Sequence, residues 1–294
     1  MENTIQALKE RIQQADSVMI GAGAGLSTAA GFVYSGERFQ RYFSDFGRKY
    51  GFRDMYSGGF YPYKTQEEFW AFWSRNIWVN RYMDPPGSTY ADLFRLVRDK
   101  DYFVLTTNVD HCFQKAGFSK KRLFYTQGDY GLFQCSKPCC RKTWDNEEAV
   151  RSMVQAQGFE IGPNHELFLP EGRTAALSIP SALLPKCPNC ARPLTLNLRS
   201  DDKFVEDEGW RAAAAEYESW MTAHQTANMV YLEIGVGFNT PGIIKYSFWQ
   251  QVYQNENAVY ACLNMEEMQV PEQIRDRSIL IGGDSSRLIQ ELIV

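Results

Sequence analysis

With 294 residues, 44% hydrophobic and 22% charged, the chain is long enough to bury one large core, or a core plus a small accessory domain. A formal net charge of -4, a pI near 5.6 and the lack of a dense Lys/Arg run leave no basic field to gather nucleic acid, which is excluded as an expected partner. No apolar run approaches the roughly 20 residues of a bilayer span, so no membrane partner is expected, and the N-terminal stretch lacks the pattern of a secretory signal. Seven cysteines, an odd number with most of them clustered, suit metal ligation in a reducing compartment better than a disulfide framework, which predicts a cytoplasmic location.

In chain order, Ile5, Leu8 and Ile12 recur at helical spacing, and Ser17-Val18-Met19-Ile20 then forms a short apolar run that ends in a glycine loop, Gly21 to Gly25. A second helix is predicted to open near Ser27. Residues 32–90 are dense in aromatics, among them Phe39, Phe43, Trp70 and Trp73, and read as a helical subdomain with its own core. A helix from Tyr90 to Arg98 follows, then the strand in "DYFVLTTNVD" and a short helix closing at Ala116-Gly117. Further strands are predicted in "RLFYTQG", "MVYLEIGVG", "AVYACLN" and "SILIGG", with a final helix from Ser285 to Val294. Buried strands alternating with helices predict an α/β doubly wound parallel sheet, with ligand chemistry at the strand C-termini. The segment 135–203 breaks the alternation and reads as an inserted small domain; 1–134 and 204–294 then form the main domain, with the helical insertion at about 32–90.

Gly21, Gly23 and Gly25 after a buried strand let backbone approach a pyrophosphate, although tight-turn glycines can equally be architectural. Cys135 with Cys139 or the adjacent Cys140, followed by Cys187-x2-Cys190, supplies the thiolates of a closed tetrahedral zinc site, which would hold the small domain and do no chemistry. Cys112 and Cys262 read as core residues. Asn108 and Asp110 end a buried strand and either point an amide and a carboxylate into the crevice or cap the next helix, and His111 reads as a capping or surface residue.

In order, "GAGLSTAAGF", "TTNVDHCFQKAG", "TQGDYGLFQC", the Cys187/Cys190 pair, "GVGFNTPG", "LNME" and "GGDSS" resemble the motif series of the sirtuins, from about residue 18 to the C-terminus. The resemblance implies a Rossmann-like NAD-binding domain with a small zinc-binding domain. It matches Gly23, Ala24, Gly25 and Ser27 to the NAD glycine loop, and Asn108 and Asp110 to the pair contacting ribose and nicotinamide. Gly235, Val236 and Gly237 match the loop on the adenosine side, where the family's Thr-Ser is Val-Gly here. Asn264, with Met265, matches the adenosine ribose contact, and Gly283, Asp284 and Ser285 match the adenine-side loop.

Two departures bear on function. The family's Pro-Asp-Phe-Arg after Gly31-Phe32 is replaced by Val33-Tyr34-Ser35-Gly36, with Arg38, an expected cofactor-binding residue, and Phe39 a little later, so the nicotinamide pocket wall is remodelled. The family's general-base histidine is Gln127, which cannot take a proton at neutral pH, so deacylation is expected to fail. Departure of nicotinamide needs positioning and electrostatics rather than a base, and Gln127 can still hold ribose hydroxyls. With "YSGERF" and "NLRSDDKFVED", the pattern is similar to the microbial class M sirtuins. That resemblance implies an NAD-dependent protein mono-ADP-ribosyltransferase with Asn108, Gln127 and Asp110 as catalytic residues. It also implies a lipoylated glycine-cleavage H-like carrier protein as acceptor and a macrodomain hydrolase acting in reverse. An NAD glycohydrolase and a non-catalytic NAD or ADP-ribose sensor are the alternatives. The run at 197–207 stands where deacylating relatives build their acyl-lysine channel, so Arg199, Asp201 and Asp202 either meet the acceptor or form a solvated face.

Overall fold

The computed structural model describes residues 2–238, 241–266 and 268–293; Asn239 and Thr240 of the "GVGFNTPG" motif, and Val294 at the end of the expected final helix, lie outside them. In chain order the strands are β1 (Ser17–Ala22), β2 (Asp101–Thr106), β3 (Leu123–Tyr125), β4 (Gly128–Cys135), β5 (Thr143–Asp145), β6 (Glu160–Ile161), β7 (Leu167–Phe168), β8 (Leu194–Leu198), β9 (Met229–Ile234), β10 (Val259–Asn264) and β11 (Ser278–Gly282). They divide between two compact units.

The first unit comprises Met1–Gly31, Pro86–Gln127 and Glu208–Val294. Its sheet runs β11-β10-β9-β1-β2-β3, parallel throughout, with Ala22 level with Thr106 on one side and with Ile234 on the other. The chain winds outward from β1 toward β3 and from β9 toward β11. The order therefore reverses between β1 and β9, and the crevice beyond their C-terminal ends is where such sheets bind ligands. This is the expected Rossmann-like doubly wound sheet. β1 and β9 are buried along their whole length, which accounts for their near-continuous apolar sequence.

One residue breaks that apolar rule. Glu233, the last residue but one of β9, is fully buried; it is paired with the buried Lys245 and accepts a 2.7 Å hydrogen bond from Tyr260 Oη. The N-terminal helix, Glu2–Gln14, buries Ile5, Leu8 and Ile12 as their spacing predicts. The second helix spans Ala24–Ala29, not a stretch opening near Ser27: β1 runs on to Ala22 and the extended Gly23 serves as N-cap, so Ser27 falls inside the helix with its hydroxyl free for other work.

The second unit comprises Phe32–Pro85 and Gly128–Asp207. The helical insertion and the cysteine-bearing segment, expected as separate parts, share this unit. Arg75 in the helix Gln66–Ile77 is fully buried, donates to Asp45 Oδ1 and to Gln157 Oε1 (both 2.8 Å), and so ties the two segments together. Trp70 packs edge-on against Phe133 at 4.9 Å. The segment also carries sheet that its sequence did not announce: β4 pairs antiparallel with β5 and β8, which brings residues 128–134 into this unit. Among the described residues, no helix is long and apolar enough to cross a membrane.

Candidate active site

The loops that follow β1 and β9 touch backbone to backbone. Gly23 N donates to Ile234 O (3.1 Å) and Gly25 N to Gly235 O (2.9 Å). A Cβ on Gly25 would sit 2.7 Å from Gly235 Cα, and Gly235 itself holds φ +60 with its own Cβ position 2.5 Å from Leu26 N. Only glycine permits both the approach and the left-handed backbone. The glycines are thus architectural in the first instance, and they leave the start of the helix Ala24–Ala29 at the open end of the crevice.

Ser27 on that helix reaches across to the loop after β2. Its Oγ donates to Asp110 Oδ2 at 2.5 Å and lies 2.8 Å from Tyr90 Oη. Since the serine proton is directed to the carboxylate, the tyrosine hydroxyl is the donor to Ser27. Tyr90 Oη in turn accepts from Asn108 Nδ2 (3.2 Å), which also donates to Gly23 O (2.9 Å). A directed chain, Asn108 to Tyr90 to Ser27 to Asp110, results. Burial, then the charge of Asp110, pushes the Tyr90 hydroxyl well above its ordinary value, so it stays protonated as the chain requires. The carbonyl oxygen of Asn108 receives no hydrogen bond among the described residues.

Asp110 takes the capping role, since Oδ1 accepts from Cys112 N (3.0 Å), while Oδ2 takes Ser27. His111 is the left-handed N-cap residue of the short helix Cys112–Lys115. Tyr90 was missed as a site residue: in the sequence it is only an aromatic at a helix start, and nothing local signals that its hydroxyl will sit between Ser27 and Asn108. Cys112 and Cys262 are buried core residues, as read.

Gln127 follows β3 by way of Thr126, whose N and Oγ1 both donate to Thr106 O (3.0 and 3.2 Å) and fix the loop to the end of β2. The Gln127 side chain is half-buried and makes no hydrogen bond among the described residues. On the β9–β11 side, Asn264 Nδ2 donates to Val236 O (3.1 Å), Gly283 N donates to Asn264 O (3.0 Å), and Asp284 Oδ1 accepts from Arg287 N (3.0 Å) at the start of the last helix. Val236 and Ser285 are buried, whereas Gly237 and Met265 are exposed. The structure therefore gathers all the expected cofactor residues but one into the first unit. The exception is Arg38, which lies in the second unit, where its guanidinium donates to Asn80 Oδ1 (2.7 Å) and to Val79 O and stacks over Phe32 at 4.9 Å.

In the second unit Cys135, Cys139, Cys187 and Cys190 bring their sulfurs within 4.8 Å of one another. Cys135–Cys190 and Cys139–Cys187 are each 3.6 Å apart, close to the roughly 3.8 Å edge of a tetrahedron built with Zn–S bonds of about 2.3 Å. Asn189 Nδ2 donates to Cys139 Sγ at 3.3 Å, an outer-shell bond that favours the thiolate. The four could hold a structural zinc, and Cys140, 4.0 Å from Cys139, is outside the set.

No family model matches the chain. It is 38% identical over 291 residues to a protein ADP-ribosyltransferase of Staphylococcus aureus (strain Mu50 / ATCC 700699), covering 98% of this chain and 87% of that protein. It is 29% identical over 308 residues to a probable bifunctional ADP-ribose hydrolase/ADP-ribosyltransferase of Fusarium oxysporum f. sp. cubense, covering 100% of this chain but 49% of that protein. Among solved structures it matches Sir2Tm bound to a propionylated peptide, with TM-score 0.60 at 14% identity over 98% of this chain and 97% of that one. It likewise matches a Sir2–p53 peptide–NAD+ complex, with TM-score 0.59 at 14% identity and the same coverage. Sequence identity over nearly the full length and the shared architecture give one answer: the chain belongs to the protein ADP-ribosyltransferases built on the sirtuin fold.

Proposed function

We propose that the chain is an NAD-dependent protein mono-ADP-ribosyltransferase whose acceptor is a lipoylated carrier protein of the glycine-cleavage H type. NAD, when bound, supplies the ADP-ribosyl group: the bond to nicotinamide breaks with its electron pair leaving on the ring nitrogen, and a nucleophile of the acceptor bonds to the same ribose carbon, its proton passing to solvent. The start of the helix Ala24–Ala29 and the backbone of the Gly235 loop receive the pyrophosphate and adenosine side, with Asn264 and the loop Gly283 to Ser285 at the far edge. Asn108 turns its unused carbonyl oxygen to a ribose hydroxyl, and Asp110, held by Ser27, meets the carboxamide of nicotinamide.

The observation that carries the reading is the side chain at 127. An amide that makes no hydrogen bond among the described residues can hold hydroxyls but cannot take a proton from one, so the deacylation sequence has no base while nicotinamide departure needs none. The acceptor is supported by the likeness to class M sirtuins in "YSGERF" and "NLRSDDKFVED". The name of the Fusarium relative joins an ADP-ribose hydrolase to a transferase, which supports a macrodomain-type hydrolase as the partner that removes the mark. A tetrathiolate site supports a reducing, cytoplasmic setting.

The test is nicotinamide release from NAD by wild type and Gln127→Ala, with and without the lipoylated carrier. Release that needs the carrier and falls at least tenfold in the variant, the scale of a lost positioning contact, is expected. Carrier-independent release would make the protein a glycohydrolase, and robust deacetylation of an acetyl-lysine peptide would refute the reading altogether.

A further inference from the structure

The Gln127 side chain makes no hydrogen bond among the described residues, so its direction comes from the backbone that carries it. That backbone is tied to the same residue as Asn108. Thr106, the last residue of β2, donates from Oγ1 to Ala22 O at the end of β1 (2.9 Å), and the same hydroxyl oxygen accepts from Asn108 N (3.0 Å). Its carbonyl oxygen accepts from both N and Oγ1 of Thr126. Asn108 and Gln127 therefore leave from one fixed point at the C-terminal edge of the sheet. After Gln127 comes Gly128 at φ +95, where a Cβ would collide with Asn197 O, so only glycine fits.

The bonds to Thr106 hold Thr126 at its nitrogen and its side chain, but leave its carbonyl, which belongs to the peptide unit shared with Gln127, to turn about ψ. Trp210 stops that turn. Its Nε1 donates to Thr126 O (3.2 Å) from 84 residues away. Trp210 stands in the first turn of the helix Glu208–Ala223, and its ring meets Phe124 of β3 edge-on at 5.1 Å. The same helix repeats the arrangement near its other end: Trp220 Nε1 donates to Asp101 Oδ1 (3.0 Å) at the start of β2, and its ring packs against Phe103 at 5.7 Å. Two indoles of one helix thus fasten it to the sheet, one beside Gln127 and one at the opposite end of the strands. Only the first acts on a peptide unit that carries a candidate site residue.

We propose that Trp210 is a positioning residue for nicotinamide release: its indole N–H holds the peptide unit between Thr126 and Gln127 and so sets the direction of the Gln127 side chain. Placement within about 0.5 Å is what such a contact requires, and an amide with no side-chain partner of its own has no other means to it. The proposal rests on the reading of Gln127 as the group that holds ribose hydroxyls, and adds what holds Gln127.

The experiment compares Trp210→Phe, which keeps a ring against Phe124 and removes the donor, with Trp220→Phe, which removes the same kind of donor from the far end of the helix. Nicotinamide release from NAD is followed with the lipoylated carrier present, each substitution being made in the wild-type and in the Gln127→Ala background. Trp210→Phe should lower kcat roughly fivefold, the size of one lost neutral hydrogen bond, with the KM for NAD unchanged. It should add nothing in the Gln127→Ala background, because it acts through that side chain. Trp220→Phe should leave release unchanged in both. In protein carrying nitrogen-labelled glutamine, the side-chain amide signal of Gln127, identified by its loss in Gln127→Ala, should shift in Trp210→Phe and stay in place in Trp220→Phe. If Trp210→Phe does not fold, benzothienylalanine at position 210, which puts sulfur for the indole N–H in a ring of the same shape, carries the same expectations. Equal losses from Trp210→Phe in the two backgrounds, equal losses from the two tryptophan substitutions, or an unmoved Gln127 signal would overturn the assignment. A shifted Gln127 signal in a protein whose release is indifferent to Gln127→Ala would support the positioning and contradict the reading of Gln127 instead.

Discussion

Ser27 Oγ stands 2.5 Å from Asp110 Oδ2 although 83 residues separate them, and both side chains are buried. This bond fastens the helix after β1 to the loop after β2, the two elements that flank the crevice. Ser27→Ala leaves Asp110 short of a donor, at a cost of about 1.5–3 kcal/mol for a hydrogen bond to a charged group. NAD affinity is expected to fall at least tenfold, measured by calorimetry, with Tyr90→Phe milder because it cuts the chain one link earlier. Unchanged affinity in Ser27→Ala would mean that Asp110 is held by its other contacts.

The Glu233–Lys245 pair makes a stability prediction. Lys245→Met abandons a carboxylate in the centre of the sheet and should cost about 3–5 kcal/mol, whereas the double change with Glu233→Leu should recover much of that loss. Urea midpoints of the two single variants and the double variant measure the coupling. Additive losses would show that the two charges do not depend on each other.

The cysteine set predicts a sharp contrast between neighbours. Cys139→Ser should abolish stoichiometric zinc in the purified protein and lower its melting temperature, while Cys140→Ser should keep one zinc per chain. Metal analysis of both variants decides it, and equal zinc loss in the two would place Cys140 among the ligands.

Burial raises the hydroxyls of Tyr63, Tyr82, Tyr90, Tyr231 and Tyr260 above their ordinary value. Their neutral forms are favoured in the folded chain, so this stabilisation is complete below the unfolded tyrosine value of about 10 and is lost as pH rises beyond it. In an alkaline titration the last part of the tyrosinate absorbance should appear only together with the loss of far-UV dichroism. Complete tyrosinate absorbance with the dichroism still native would contradict the burial.

The parallel sheet was legible because strands buried on both faces are apolar runs, and the glycine loop, Asn108 and Asp110 were legible because they end such runs. Glu233 is invisible to that logic: a charge within a buried strand is tolerated only because Lys245 and Tyr260 arrive from other elements. β8 was missed because "LTLNL" between a cysteine knuckle and a charged run is too short to show a period, and only its pairing with β4 makes it a strand. The chain from Asn108 through Tyr90 to Asp110 and the bond from Trp210 to Thr126 are both tertiary products, assembled from residues whose local sequence carries no sign of their neighbours.

The most direct test of the central claim is the intact mass of the lipoylated carrier protein after incubation with this protein and NAD, beside the same carrier without its lipoyl group. A single ADP-ribose is expected on the lipoylated form, matched mole for mole by released nicotinamide, and little on the unlipoylated form. Nicotinamide released with both carriers unchanged in mass would contradict it.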